Sequence, residues 1–242
     1  MILRSPFFSI LIAQFIFFAS CQTNGDTSSQ HSKNQGDAIA ENIESLPSKD
    51  TNSLEELVAI YDSPDRVLWQ KPKLVISKMG DLRDKTVADI GAGSGFFSRR
   101  LAQHAKKVIA IEIDERFIEF MDSIKLVELS EKYQKRFETR LATPEDAKLK
   151  PAEADLVLMV NTYIYIKNRV PYLKKLMNGI APGGKIFIVD FKRKRIPIAN
   201  PPAKLRIPLY QVEAELEEAG YKNIVSDDRS LDYQYIVMAE RK

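Results

Sequence analysis

The sequence predicts an α/β fold: a doubly wound, mostly parallel sheet of seven strands whose last strand is antiparallel. Strand-like apolar segments alternate with helical ones along the folded part of the chain, an order that favours parallel pairing through crossover helices. The run "ADLVLMV" (154–160) is continuously apolar, which is typical of a strand covered on both faces. The stretch "ADIGAGSGFF" (88–97) places a glycine-rich turn directly between a strand and a helix.

Composition sets the outer bounds. The chain has 242 residues and a formal net charge of +3, so it fits one domain with appendages. That charge is too small to indicate a nucleic-acid partner by itself. A single cysteine excludes an internal disulfide framework.

The N-terminus predicts export and lipid attachment. Arg4 precedes an apolar run over 7–18, and small residues lead to Cys21, as in a secretory signal. The end of this run, "FASC", resembles the bacterial lipobox, in which the cysteine is acylated. We therefore predict a lipoprotein signal over 1–20, and as the alternative a buried hydrophobic helix with an incidental cysteine.

Residues 21–53 are rich in Ser, Asn, Gln, Asp and Gly and contain no aromatic residue. Such a segment cannot bury enough apolar surface to offset its conformational entropy, so we predict a disordered linker that begins at the lipidated Cys21. The folded domain is expected over 54–242.

Within that domain each element has its own signal. Ser53 followed by Glu56 is a capping box for a first helix. Apolar periodicity predicts the further helices, over 71–79, 96–105, 115–133, 168–180 and 210–220. Short runs rich in β-branched residues predict the strands, over 85–90, 107–113, 136–141, 154–160, 185–191, 223–228 and 233–240. The last two strands are joined by too few residues for a crossover and should pair antiparallel.

The glycine turn indicates a nucleotide-like ligand at the carboxyl edge of the sheet. Its spacing is G-x-G-x-G, with Phe96 where a dinucleotide site needs a small residue. Asp89 lies two residues before the first glycine, where an acid suits the cationic end of a methionine moiety better than a pyrophosphate. A nicotinamide-dependent oxidoreductase is therefore disfavoured.

With "VADIGAGSG" (87–95), the sequence resembles the class I S-adenosylmethionine-dependent methyltransferases. Glu112, which follows the second strand, falls where that family binds the ribose hydroxyls. The stretch "TPEDAKL" (143–149) resembles the adenine-proximal loop. The resemblance implies S-adenosylmethionine as cofactor and the Rossmann-like methyltransferase fold over about 54–242. The cofactor-binding residues that it implies are Asp89, Gly91, Ala92, Gly93, Gly95, Phe96, Glu112, Ile113, Glu145, Asp146 and Asn161.

"YDSPDRVLWQKP" (61–72) also resembles a bacterial subgroup of this family in which the segment before the first strand closes over the site. That likeness makes Tyr61, Arg66, Trp69 and Gln70 candidates for a lid or for acceptor contacts, with simple packing of Trp69 as the alternative. After the fourth strand, the subgroup pattern D-T-Y-H-H is replaced by Asn161-Thr162-Tyr163-Ile164-Tyr165. The loss of both histidines argues against histidine-based proton abstraction and against a metal. Asn161, Tyr163 and Tyr165 are the remaining weak catalytic candidates.

The expected function is methyl transfer to a small-molecule or lipid-linked acceptor, without nucleic acid. A non-catalytic envelope lipoprotein that binds a nucleoside-like ligand or a protein is the alternative. Export separates the protein from cytoplasmic S-adenosylmethionine. An envelope supply of the cofactor, a cytoplasmic product of a mis-assigned start and a repurposed binding domain are the three explanations compatible with the sequence. The basic loop 191–208 is predicted as a solvated loop, or as a cationic lid or membrane patch. The acceptor atom and the oligomeric state are not determined by the sequence.

Overall fold

The computed structural model describes residues 53–242. The predicted signal, Cys21 and nearly all of the predicted linker lie outside these residues. Within residues 53–242 no helix combines the length and the apolar character that crossing a membrane requires.

Helices and strands follow the predicted order. The helices are α1 (Leu54–Tyr61), α2 (Pro64–Gln70), α3 (Pro72–Lys78), α4 (Phe96–Leu101), α5 (Glu115–Glu128), α6 (Glu131–Gln134), α7 (Arg169–Met177) and α8 (Leu209–Ala219). The strands are β1 (Thr86–Ile90), β2 (Lys107–Glu112), β3 (Phe137–Leu141), β4 (Ala154–Val160), β5 (Ile180–Phe191), β6 (Lys222–Asp227) and β7 (Gln234–Glu240). Short 3₁₀ turns cover Tyr163–Tyr165 and Ala203–Leu205.

The seven strands form one sheet in the order β3-β2-β1-β4-β5-β7-β6. β1 pairs in parallel with both β2 and β4, whereas β7 pairs antiparallel with β5 and β6. The predicted fold class, including the antiparallel last strand, is confirmed. The carboxyl ends of β1, β2 and β4 therefore meet at one edge, where ligands of such sheets bind.

The sheet is covered on both faces. Val87 belongs to the cluster of buried residues on the α3–α4 face, and its neighbour Ala88 belongs to the cluster on the α7–α8 face. β4 divides its side chains in the same way between the two clusters. Because both faces are buried, these strands are continuously apolar rather than alternating.

Several predicted element boundaries differ from the structure. Helix α2 has no predicted counterpart, and the helices predicted over 96–105 and 168–180 end at Leu101 and Met177. The single helix over 115–133 ends at Glu128, because Leu129 is extended and Ser130 begins the separate helix α6. β5 begins at Ile180, so the "APGG" segment is part of the strand rather than a turn before it. Ile180 pairs with Ala154 of β4, and the register shifts between Ala154 and Leu156. This pairing depends on a distant strand and has no local signal.

The basic loop does not present all of its cations. Arg206 is buried and donates to the carbonyls of Pro201 (2.9 Å) and Lys194 (3.1 Å). Lys192 donates to the carbonyl of Leu231 at 2.6 Å. Arg206 therefore ties the loop to itself, and Lys192 fastens the start of the loop to the segment before β7. Both contacts favour the structural interpretation for part of the segment.

The N-terminal segment is fastened to the glycine turn. The predicted capping box begins α1, with Ser53 Oγ accepting from Glu56 N and Glu56 Oε2 from Ser53 N, both at 3.2 Å. At the other end, Asp62 accepts from Ser94 Oγ and from the Arg99 guanidinium, each at 2.7 Å. Arg99 is buried, so its ion pair is shielded from water.

We expect Asp62→Ala to release this segment. The free energy of unfolding should fall by about 1–3 kcal/mol, because buried Arg99 loses one of its two carboxylate partners and keeps Glu128. Hydrogen exchange should accelerate across 54–71 while the sheet stays protected. Asp81→Ala, which breaks an exposed pair with Arg83, is the control and should change stability by less than about 0.5 kcal/mol. Equal effects from both variants would contradict the assignment.

Candidate cofactor site

The glycine turn brings bare main chain to the carboxyl edge of the sheet. Gly91 and Gly93 both have positive φ, +73° and +55°. A Cβ on Gly91 would lie 2.3 Å from Thr162 Oγ1, the residue that follows β4 by two positions. A Cβ on Gly93 would lie 3.0 Å from the Tyr61 ring. Gly91 therefore excludes a side chain, and a side chain at Gly93 would require the Tyr61 ring to move.

Asp89 is the first of two buried carboxylates beside this turn. It is 2% exposed and accepts from Ser98 Oγ at 2.5 Å. Burial raises the pKa of Asp89 to about 6. The hydrogen bond from Ser98 and the charge of Arg66 act in the opposite direction, but their effect is smaller. A carboxylate this deeply desolvated gains most from a cationic ligand.

Glu112 is the second, at the end of the adjacent strand β2. It is 3% exposed; its Oε2 accepts from Gly93 N at 2.9 Å and its Oε1 from Ile113 N at 2.8 Å. A carboxylate has about four lone-pair sites. Glu112 Oε1 also accepts from Asp114 N at 3.3 Å, so Glu112 is oriented by three main-chain N–H groups.

Two of the predicted lid residues, Tyr61 and Arg66, lie over this turn. The Tyr61 ring stacks on Phe117 with 5.4 Å between centroids. The Arg66 guanidinium lies 4.3 Å from the Phe96 ring centroid and donates to the Tyr61 carbonyl at 2.6 Å. Burial lowers the pKa of Arg66 to about 10, while the charges of Asp89 and Asp62 act to raise it. Trp69 packs on Phe191 with 5.6 Å between centroids, as the packing alternative expected.

A chain of polar side chains joins this segment to the strand ends. Arg66 Nε donates to Gln70 Oε1, and Gln70 Nε2 donates to Gln234 Oε1 at 3.1 Å. Gln234 Nε2 then donates to Asn161 Oδ1 at 2.6 Å. Gln70 and Gln234 are both fully buried. Asn161 has a φ of +57° and is partly exposed directly after β4.

The tyrosines after β4 have different surroundings. Tyr163 is fully buried and its hydroxyl donates to Glu215 at 2.6 Å, which places it in the core against α8. Tyr165 is 52% exposed, and partial burial raises its pKa to about 12, with further contributions from the charges of Tyr61 and Asp190. Of the two, Tyr165 is the one whose surroundings include the lid.

The remaining predicted residues divide into two groups. Ala92 and Phe96 are buried around the turn, Gly95 begins α4, and Ile113 leaves 46% of an apolar side chain exposed beside Glu112. Beyond β3, Glu145 is exposed. Asp146 is turned toward α7, where it accepts from Lys175 at 3.0 Å beside a groove of about 380 Å³. The structure therefore places Ala92, Gly95 and Phe96 at the glycine turn and Asp146 against Lys175 of α7.

Three residues of this edge were missed by sequence reasoning. Thr162 contacts Gly91, Gln234 orients Asn161, and Asp190 is buried at the end of β5. Asp190 accepts from Phe191 N at 2.8 Å and Ile164 N at 3.3 Å, and burial raises its pKa to about 6. The polar residue in the otherwise apolar run "KIFIVDF" was the available signal for Asp190.

We expect Gly91→Ala to destabilise the protein by about 2–4 kcal/mol, because its Cβ would overlap Thr162 and adopt a strained φ. Gly183→Ala is a matched control, since Gly183 has a φ of +71° but open space around its Cβ position. It should cost only about 1 kcal/mol. Urea unfolding measures both variants, and equal losses would show that close approach to Thr162 is unimportant.

Comparison with known proteins agrees with this geometry. Residues 88–188 match a family model described as a methyltransferase domain. The Ubiquinone biosynthesis O-methyltransferases of Leptothrix cholodnii and Aeromonas salmonicida are 27% and 24% identical over 134 and 131 residues. Each match covers 54% of this chain, which spans about half the length of these curated relatives (52% and 51%).

Solved structures share the fold. A SAM-dependent methyltransferase from Aquifex aeolicus superposes with a TM-score of 0.70 at 21% identity, over 79% of this chain and 100% of that one. An S-adenosylmethionine-dependent methyltransferase from Listeria monocytogenes gives 0.55 at 17% identity, over 72% and 97%. The family match covers residues 88–188, and the sheet has the fold of the two solved methyltransferases. S-adenosylmethionine is the cofactor that these findings imply.

Proposed function

We propose that this chain is an S-adenosylmethionine-dependent methyltransferase acting on a small-molecule or lipid-linked acceptor. The observation that carries the proposal is the pair of buried carboxylates, Asp89 and Glu112, beside a glycine turn in which a Cβ on Gly91 would overlap Thr162. A dinucleotide pyrophosphate would be repelled by Asp89, whereas an ammonium group would be attracted. The match of residues 88–188 to a methyltransferase domain supports the same ligand.

Each element of the site has a role in holding the cofactor. Asp89 would balance the positive charge of its amino-acid end, and Glu112 would accept hydrogen bonds from its ribose hydroxyls. Ile113 offers an exposed apolar surface for a flat base. When bound, the cofactor supplies a methyl group already activated on a sulfonium, so the protein mainly has to align the acceptor and exclude water.

Calorimetric titration tests the cofactor assignment. We expect binding of S-adenosylmethionine and S-adenosylhomocysteine and none of NADH. Glu112→Ala should weaken binding of both by at least about tenfold, because hydrogen bonds to a charged group contribute about 1.5–3 kcal/mol. Glu115→Ala removes a carboxylate from the start of α5, outside the glycine turn, and is the control. Binding of NADH alone, or of no nucleotide, would contradict the proposal.

The pH dependence of the S-adenosylmethionine affinity tests the contribution of Asp89 to binding. Its pKa of about 6 in the free protein means that a cation must displace a proton below that pH. Affinity for S-adenosylmethionine should therefore be level above pH 7 and fall by up to about tenfold per pH unit below 6. Asp89→Asn should bind weakly at every pH and lose this slope. An unchanged slope in the variant would assign the proton to another group.

Transfer itself is measured with radiolabelled S-adenosylmethionine and membrane extracts. Label should enter a small-molecule or lipid fraction with wild type and not with Glu112→Ala. Binding of the cofactor without any transfer would favour the non-catalytic alternative.

We also propose that the protein is attached to the bacterial cell envelope through an acylated Cys21. The lipobox-like "FASC" supports this proposal. A structure described as a possible exported protein from Bordetella parapertussis shares the fold, with a TM-score of 0.57 at 16% identity.

Metabolic labelling with palmitate tests the attachment. Wild type should incorporate label and sediment with membranes, whereas Cys21→Ser should lose the label. Ser20→Ala keeps a small residue before the cysteine and should be labelled as wild type is. A soluble, unlabelled wild-type protein would favour a cytoplasmic product.

A further inference from the structure

The side-chain hydrogen bonds that run from Arg66 through Gln70 and Gln234 to Asn161 all have one donor-to-acceptor direction. Arg66 sets that direction. A guanidinium carries N–H donors and no acceptor. Arg66 therefore requires the oxygen of Gln70 on its side, which leaves the Gln70 amide nitrogen to face Gln234. The same reasoning passes through Gln234, whose oxygen must accept from Gln70 and whose nitrogen must donate to Asn161.

The last group in this series of hydrogen bonds is the Asn161 amide nitrogen, Nδ2. Asn161 accepts from Gln234 through Oδ1, so its Nδ2 is turned away from Gln234. Within residues 53–242, no group accepts a hydrogen bond from Asn161 Nδ2. Asn161 follows β4 directly and precedes Thr162, which contacts the glycine turn. An amide is otherwise free to present either its oxygen or its nitrogen, but here the buried glutamines remove that choice.

We propose that Asn161 is a fixed hydrogen-bond donor that selects an acceptor oxygen over an acceptor amine, and that Gln70 and Gln234 are the positioning residues that fix it. The inference rests on the proposed methyltransferase function. A hydroxyl oxygen has two lone pairs, so one can accept from Asn161 while the other faces the methyl group. A neutral amine has a single lone pair, and its N–H groups would oppose the Asn161 amide.

The direction of the chain is tested by NMR of side-chain amides in ¹⁵N-labelled full-length protein. Gln234 Nε2 protons should exchange slowly with water, and Asn161 Nδ2 protons should exchange fast. Gln234→Glu presents only oxygens to Asn161, so the Asn161 amide should turn around and its protons should become protected. Gln70→Glu should produce the same reversal through Gln234. Protected Asn161 protons in wild type would overturn the proposal.

Selectivity is tested with a matched pair of acceptors, catechol and 1,2-diaminobenzene, and radiolabelled S-adenosylmethionine. Wild type should methylate catechol in preference to the diamine. The preference, as a ratio of kcat/KM values, should fall by about 10–100-fold in Asn161→Asp, Gln234→Glu and Gln70→Glu. Gln103→Glu adds the same charge at the exposed end of α4 and should keep the wild-type ratio.

Asn161 is partly exposed, whereas Gln70 and Gln234 are buried. Asn161→Asp therefore still tests the proposal if either glutamine variant fails to fold. S-adenosylhomocysteine affinity should stay within about threefold of wild type in Gln103→Glu, and measurable S-adenosylhomocysteine binding by each other variant shows that its changed ratio comes from a folded protein. If wild type binds S-adenosylhomocysteine but prefers the diamine, or methylates neither acceptor, the oxygen assignment is overturned. Absence of S-adenosylhomocysteine binding would instead overturn the proposed function.

Discussion

Burial of two carboxylates at the carboxyl ends of two neighbouring strands, β1 and β2, is the constraint on which this site depends. Asp89 and Glu112 end neighbouring parallel strands, and both are almost entirely removed from water. Such an arrangement is costly unless hydrogen bonds and a cation offset it. Glu112 is stabilised by main-chain N–H groups, whereas Asp89 has the Ser98 hydroxyl and the nearby charge of Arg66. The imbalance makes Asp89 the group most responsive to a positively charged ligand.

The N-terminal segment is part of the site rather than an appendage to it. Asp62 joins Ser94 and Arg99, and Tyr61 stacks on Phe117 above Gly93. These contacts place the segment between solvent and the carboxyl edge of the sheet. Exclusion of water strengthens electrostatic interactions inside such a site, and anything that loosens α1 and α2 will therefore act on ligand binding as well as on stability.

The same segment is also joined by hydrogen bonds to the carboxyl ends of the strands. The charges of Arg66 and Asp89 attract each other. Through Gln70 and Gln234, Arg66 also sets the orientation of the Asn161 amide. One guanidinium thereby connects the side expected to hold the cofactor with the side expected to hold the acceptor. Buried polar chains of this kind specify one arrangement because any reversed amide leaves an unsatisfied group.

The sequence by itself determined the order of elements, the sheet class and the glycine turn with its two acids. Those features have local signals: apolar runs, a capping box and the spacing of Asp89, the glycines and Glu112. Only the tertiary structure decided the extension of β5 to Ile180, the contact of Thr162 with Gly91, and the chain from Gln70 to Asn161 through Gln234. Gln70 and Gln234 are 164 positions apart, so no local pattern pairs them. Their hydrogen bond exists because the sheet brings the start of β7 under the end of α2, and a buried amide must find its partner there.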